Sequence, residues 1–329
     1  VVVTSTMNEA EILANDLRIW LSKEDVEIFP AWETLPFERV SPATETMGRR
    51  LEVINKLQNG VAPRIIVSPV RAILQRINPE IRDIQLLEFE RGEKADISEL
   101  SASLIAQGYR RELQVEGRGE FAVRGGIVDI FPPTSTSPIR MDLWGDQIER
   151  LSEFAVSDQR STADIESITV TPARELALTI RVRERAQELK TTEPWGEEQW
   201  ERLASGQFFD GMESWLPWLV NEELILADLL PPNSLLFLLD PKRLKDRSSE
   251  LVAEEDDLAQ TLATTWKALD SGGEIRTFPG LHVRFERALS KCRSDVWTIT
   301  HTSPNPGDPR FETQPWKTAA GNPEPLLDQ

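Results

Sequence analysis

Over 329 residues the chain carries 55 acidic against 37 basic side chains, and this net charge of −18 opposes unaided binding to a polyanion, because nucleic-acid affinity rests on clustered Lys and Arg. One cysteine, Cys292, forbids an intrachain disulfide, and with His282 and His301 as the only histidines it cannot complete a Cys/His zinc site; a reducing cytoplasm fits. The longest apolar runs, such as Leu235 to Leu239, fall far short of the ~20 residues that span a bilayer, and Glu9, Glu11 and Asp16 follow the start too closely for a signal peptide, so no membrane partner is expected.

Val1-Val2-Val3 reads as a buried strand that begins without Met, and the chain closes on Asn322-Pro323-Glu324-Pro325, so it is read as a piece of a longer protein. Thr6-Met7-Asn8 reads as the cap of a helix whose Leu13, Leu17, Trp20 and Leu21 share a face. Val26 to Phe29 is a short strand. Thr44 to Asn59 is a helix with Met47, Leu51, Ile54 and Leu57 spaced for one face, stopped by Gly60. Arg64 to Val67 is a strand, and Ser68-Pro69 has the chemistry of an N-cap and a first-turn proline for the helix through Val70, Ile73 and Leu74. Alternating β and α over residues 1–85 marks a parallel sheet.

After a helix at Ser98 to Gln107, residues 110–170 are short alternating strands punctuated by Pro, Gly and Ser, the pattern of an antiparallel sheet. Gly117 to Pro132 reads as one strand with Gly125-Gly126 as a bulge or close backbone approach. Phe121, Val123, Ile127 and Phe131 then fall on one face and Ala122, Arg124, Val128 and Ile130 on the other. In the next strand Ile139, Met141 and Leu143 alternate with Arg140, Asp142 and Trp144 up to the turn at Gly145-Asp146. The antiparallel pair is expected to present Arg124 and Phe131 near one loop end.

Helical patterns resume at Thr179 to Lys190 and Glu197 to Leu203, Ser234 to Leu239 is a buried strand, and a long amphipathic helix is expected from Lys245 to Leu269. Of the ten tryptophans, Trp195, Trp200, Trp215 and Trp218 read as core or interface packing rather than a ligand cage. The division that follows is 1–85 and 175–300 as two halves of an α/β domain, 86–174 as a β-rich α+β insert, and a Pro- and Gly-rich linker over 301–329.

Three stretches in order carry a family resemblance. Phe29-Pro30-Ala31-Trp32-Glu33-Thr34-Leu35-Pro36-Phe37-Glu38-Arg39, with Ser41-Pro42 and Arg49-Arg50-Leu51, the segment Gly117 to Ser161, and Asp210-Gly211-Met212-Glu213-Ser214-Trp215-Leu216-Pro217 resemble the transcription-repair coupling factor (Mfd) family, over about residues 1–245. The resembled region is the module that family shares with the excision-repair protein UvrB. The resemblance implies a UvrB-like fold: a degenerate helicase-like, P-loop-type parallel sheet interrupted by the insert. It also implies that the insert docks UvrA, with Arg124 on the recognition strand, Arg111 and Arg118 approaching it, and Phe131 as the apolar anchor. Guanidinium and aromatic groups are the types that dominate interface hot spots.

Chemistry is conspicuous by what is missing. No Gly-Lys-Ser/Thr triplet exists to hold phosphates and magnesium, and Ser234 to Asp240, a hydrophobic strand ending in Asp, is followed by Pro241 where a hydrolytic motif has Glu. With Tyr109 as the single tyrosine and Arg39 to Pro42 running directly into the helix at Thr44, the tyrosine-rich DNA hairpin of UvrB is absent. The expectation is a non-catalytic binding module without cofactor, the alternative being a UvrB-type ATP-dependent DNA damage-recognition protein. In the family reading, ATP and magnesium belong to translocase domains elsewhere in the full protein, RNA polymerase and DNA are engaged through other domains, and the protein's own C-terminal domains hide the UvrA surface in an autoinhibited state.

Overall fold

In the computed structural model, residues 1–83, 86–269, 273–301 and 307–311 are described. Most of the expected linker therefore lies outside the described residues.

β1 (Val2–Thr4) leads into α1 (Met7–Leu17), which Thr6 starts by accepting from the Glu9 amide at 3.3 Å. α1 ends at Leu17, and Trp20 stands 85% exposed beyond it, so the expected extension of the helix face to Trp20 is corrected. β2 (Val26–Ile28) precedes α2 (Thr44–Gln58), which buries Met47, Leu51, Ile54 and Leu57 as their spacing predicts; Gly60, at φ +73°, follows its end. β3 (Ile65–Pro69) runs straight into α3 (Val70–Leu74). Ser68 is not the expected cap: it lies within β3, where its hydroxyl donates to the Phe29 carbonyl at 2.9 Å.

The insert comprises β4 (Leu87–Glu90), α4 (Ile97–Ala106), β5 (Arg110–Arg111), β6 (Glu120–Arg124), β7 (Ile127–Ile130), β8 (Ile139–Trp144), β9 (Gln147–Phe154), β10 (Ser161–Ile165) and β11 (Ser167–Val170). The chain then returns through α5 (Ile180–Thr192), α6 (Glu197–Ala204), α7 (Leu216–Leu219), α8 (Leu226–Leu229), β12 (Leu235–Leu239), α9 (Pro241–Thr265), α10 (Phe285–Lys291) and β13 (Asp295–Ile299). α9 begins four residues before the expected Lys245 because Asp240 caps it and Pro241 is preset for the first turn; it closes at Thr265, with Lys267 at φ +53° just past the end.

Two sheets organise these elements. A parallel five-stranded sheet, ordered β13-β12-β1-β3-β2, takes strands from both ends of the chain. A six-stranded sheet, ordered β10-β9-β8-β7-β6-β5, is antiparallel except for the β5–β6 pair. β4 and β11 pair antiparallel, Leu87 opposite Val170, so the chain enters and leaves the insert at one place. The parallel sheet packs Val3, Leu236 and Leu238 against Leu51, Ile54, Val70 and Leu251. One face of the six-stranded sheet packs Phe121, Val128, Ile130, Met141 and Leu151 against Leu100 and Leu104 of α4. Trp195, Trp200, Trp215 and Trp218 meet with ring centroids 5.0–6.2 Å apart, joined by Phe37, Trp266 and Phe278, which makes them the core packing the sequence suggested.

Candidate protein-docking face

The segment Gly117 to Pro132 is not one bulged strand. Gly125-Gly126 forms a two-residue turn joining β6 to β7, with Arg124 opposite Ile127, Val123 opposite Val128, Ala122 opposite Asp129 and Phe121 opposite Ile130. Such a tight turn needs a positive φ, which Gly125 supplies at +63°, and close approach, since a Cβ on Gly126 would lie 2.7 Å from the Leu143 carbonyl oxygen. Directly opposed residues share a face. Phe121, Val123, Val128 and Ile130 therefore turn to the core beneath α4, while Ala122, Arg124, Ile127 and Asp129 take the other face. The expected grouping of Ile127 with Phe121 and Val123 is corrected.

The same turn separates the residues expected together. Arg124 sits at the tip of the hairpin and Phe131 at its base, where the Phe131 amide donates to the Glu120 carbonyl at 2.9 Å. Phe131 is 7% exposed and packs with Val115, Ala122 and Phe154, so it is a core residue rather than a presented anchor. Arg118 lies at this base too: its guanidinium carbon is 5.1 Å from the Phe131 ring centroid and its Nη1 is 3.8 Å from Glu45 Oε2. With Arg110 and Arg174 it lines a cleft of about 230 Å³ beside the start of α2. Arg111 is exposed on β5, opposite Phe121. Three residues along β6 at ~3.3 Å each place Arg111 about 10 Å from the level of Arg124. Arg118 and Phe131 are thus brought together, Arg111 is on the neighbouring strand, and Arg124 stands apart at the tip.

Arg124 is held there by a residue the sequence reading did not single out. Its guanidinium pairs with Asp129, whose side chain is fully buried, and the same carboxylate receives Arg140 Nε at 2.7 Å and Nη2 at 2.9 Å. Arg140 is anchored in turn by donation from Nη1 to the Gln159 carbonyl at 2.9 Å and by stacking 4.6 Å above Phe154. Hydrogen bonding to Asp129 holds the Arg140 guanidinium above its ordinary value. The Arg124 side chain keeps 42% of its surface exposed. Beside the turn, where the Leu143 amide donates to the Gly126 carbonyl at 2.7 Å, Trp144 is 81% exposed. The alternation of Arg140, Asp142 and Trp144 against Ile139, Met141 and Leu143 was the signal that could have found this part of the face.

The strand expected to be a relic of a nucleotide site is β12, paired between β1 and β13. Its terminal Asp240 accepts from the Arg243 amide at 3.3 Å as the cap of α9. Among the described residues no helix is long and apolar enough to cross a membrane.

Fold and face together define a class: an antiparallel sheet, inserted into an α/β body, that carries a buttressed arginine and an exposed tryptophan. Comparison with known proteins shows what the chain is similar to. Residues 87–176 match the UvrB interaction domain. The chain is 37% identical over 268 residues to a transcription-repair-coupling factor of Mycobacterium tuberculosis, covering 76% of this chain and 22% of that protein. It is 29% identical over 321 residues to that of Bacillus subtilis, covering 92% and 27%, and 32% identical over 214 residues to that of Escherichia coli, covering 62% and 18%. The chain is homologous to the transcription-repair-coupling factors, as the three motif stretches imply, and it spans about a fifth to a quarter of the length of these curated relatives.

Proposed function

We propose that this chain is a non-catalytic interaction module of a transcription-repair coupling protein, and that the outer face of its six-stranded sheet recruits the damage sensor UvrA in nucleotide excision repair. The observation that carries this reading is the half-exposed Arg124, tied to a buried carboxylate at the tip of a hairpin, with the exposed Trp144 next to Leu143, whose amide bonds the hairpin turn. Arginine and tryptophan are the residues most often found as hot spots, the one for bidentate recognition of carboxylates and the other for area buried at low entropic cost. In this reading Arg124 and Trp144 make the contact, Arg111 extends it along β5, and Arg118 with Phe131 supports the base of the hairpin. The lack of a phosphate loop and the use of Asp240 as a helix cap favour a helicase-like sheet that keeps the fold without hydrolysis. ATP, magnesium, DNA translocation and contact with RNA polymerase then belong to other parts of the longer protein, whose C-terminal domains would cover the docking face until it is needed.

The test is titration of this chain against UvrA, with and without nucleotide. Wild type should bind, and Arg124→Ala should bind on the order of 30-fold or more weakly, a loss of about 2–4 kcal/mol, with unchanged melting. Unaltered affinity in an Arg124→Ala, Arg118→Ala double variant would mean that UvrA docks elsewhere or not at all.

A further inference from the structure

Asp129, on the outer sheet face, is fully removed from solvent and has its charge met by two arginines, one on each neighbouring strand. The chain of contacts has a direction. Phe154 and the Gln159 carbonyl hold Arg140; Arg140 grips both oxygens of Asp129; and Asp129 Oδ2, besides accepting from Arg140 Nη2, accepts from Arg124 through Nη2 alone. Arg140 is 14% exposed and spends Nε, Nη1 and Nη2 on this scaffold. Arg124 is three times more exposed, and its Nε and Nη1 have no partner among the described residues.

From this geometry, and resting on the docking reading above, we infer that Asp129 is a positioning residue: it fixes the Arg124 guanidinium so that the N–H donors it does not take, those of Nε and Nη1, are left to meet a carboxylate on the partner. An unrestrained arginine loses rotamer freedom when it binds, and a guanidinium already fixed in its bound orientation avoids much of that loss. The carboxylate also leaves the Arg124–Asp129–Arg140 group with a single net positive charge, which suits one acidic group rather than a polyanion. That specificity agrees with a chain whose overall charge of −18 repels nucleic acid.

A double-mutant cycle on UvrA binding tests the inference, with thermal unfolding measured beside each affinity. Asp129→Asn keeps the shape and one acceptor but removes the charge that holds Arg124. It is expected to weaken binding about tenfold in the wild-type background and less than twofold in the Arg124→Ala background, since it acts through Arg124. Equal losses in both backgrounds would overturn the inference and leave Asp129 with a purely structural role. If Asp129→Asn does not unfold cooperatively, Arg140→Lys replaces it: the charge stays, the fork onto Asp129 is lost, and a weaker loss of affinity that again vanishes without Arg124 is expected. A loss that persists without Arg124 refutes the relay. Wild-type chain that fails to bind UvrA sinks the docking reading itself, whereas strong loss in Arg124→Ala with wild-type affinity in Asp129→Asn sinks only the positioning role.

Discussion

Truncating Phe131 and Trp144 in turn separates a core role from a role in the proposed docking face. Phe131 is 7% exposed against Val115, Ala122 and Phe154, and Arg118 stacks on its ring, so Phe131→Ala opens a cavity. Phe→Ala in a core costs about 3–5 kcal/mol, a large share of the ~5–15 kcal/mol that typically holds a folded protein together. Trp144 is 81% exposed, so Trp144→Ala should move the unfolding midpoint by less than about 0.5 kcal/mol. An indole of roughly 150–250 Å², four-fifths of it still to be covered, offers about 3–5 kcal/mol at ~25 cal/mol/Å². After the costs of association, a loss of about 2–4 kcal/mol in UvrA affinity is expected, roughly 30- to 700-fold. Urea unfolding of each variant beside calorimetric titration with UvrA makes the measurement. A Phe131→Ala chain with a wild-type midpoint, or a Trp144→Ala chain with wild-type affinity, would refute the assignment of these residues.

The chain should neither bind nor hydrolyse ATP, because the phosphate loop is missing and Asp240 caps α9; saturable micromolar binding by calorimetry, or phosphate release above a buffer control, would contradict this. His282 is buried with its Nδ1 2.9 Å from Glu255, and burial pushes the imidazole below its ordinary 6.5. The unfolded chain then takes up the proton first, so this site's contribution is intact above pH 6.5 and is lost as pH falls below it. His282→Gln should flatten the fall in melting temperature between about pH 7 and pH 5, and an unchanged slope would count against it. At Gly211, φ is +81° and a Cβ would sit 2.7 Å from the Arg39 backbone, so Gly211→Ala should cost at least about 1–3 kcal/mol in urea unfolding. A wild-type midpoint would show that the loop yields instead.

The elements legible in the sequence were those with a strong period and a local stop. α2 was readable from Met47, Leu51, Ile54 and Leu57 with Gly60 behind them, and β12 from its run of leucines. The β6–β7 hairpin was not, because a glycine pair reads equally as a bulge or as a turn. The two readings assign the residues after it to opposite faces, so a single local decision misplaced Ile127 and put Phe131 at the wrong end. Asp129 was hidden for a related reason: its partners Arg124 and Arg140 lie on strands to either side of its own, and only the pairing register shows that one carboxylate serves both. The pair of Arg50 with Glu175, 125 residues apart and nearly inaccessible, had no local signature at all.

The first and third motif stretches that carry the family resemblance do a different job from the proposed docking face, which lies within the second. Ser41, beyond the first stretch, receives the Gly211 amide at 2.9 Å and donates to Glu213 at 2.6 Å, and Glu213 pairs at 2.7 Å with Arg174, on the segment leaving the insert. Within the first stretch, the Trp32 indole donates to Glu175 at 2.8 Å, and Glu175 also takes Arg50 of α2. Buried ion pairs of this kind add little net stability, but they tolerate only one arrangement, since breaking one strands a charge without solvent. Together with the β4–β11 pair they tie the exit of the insert to the α/β body through several contacts that must form at once. The residues of the first and third stretches therefore specify how the inserted sheet is mounted, whereas the residues of the second that would touch a partner are few, sit near a hairpin tip, and depend on register to become visible. In the proposed reading, a face mounted in this way would meet its partner in a fixed orientation, so that binding free energy goes into contact and not into ordering the module.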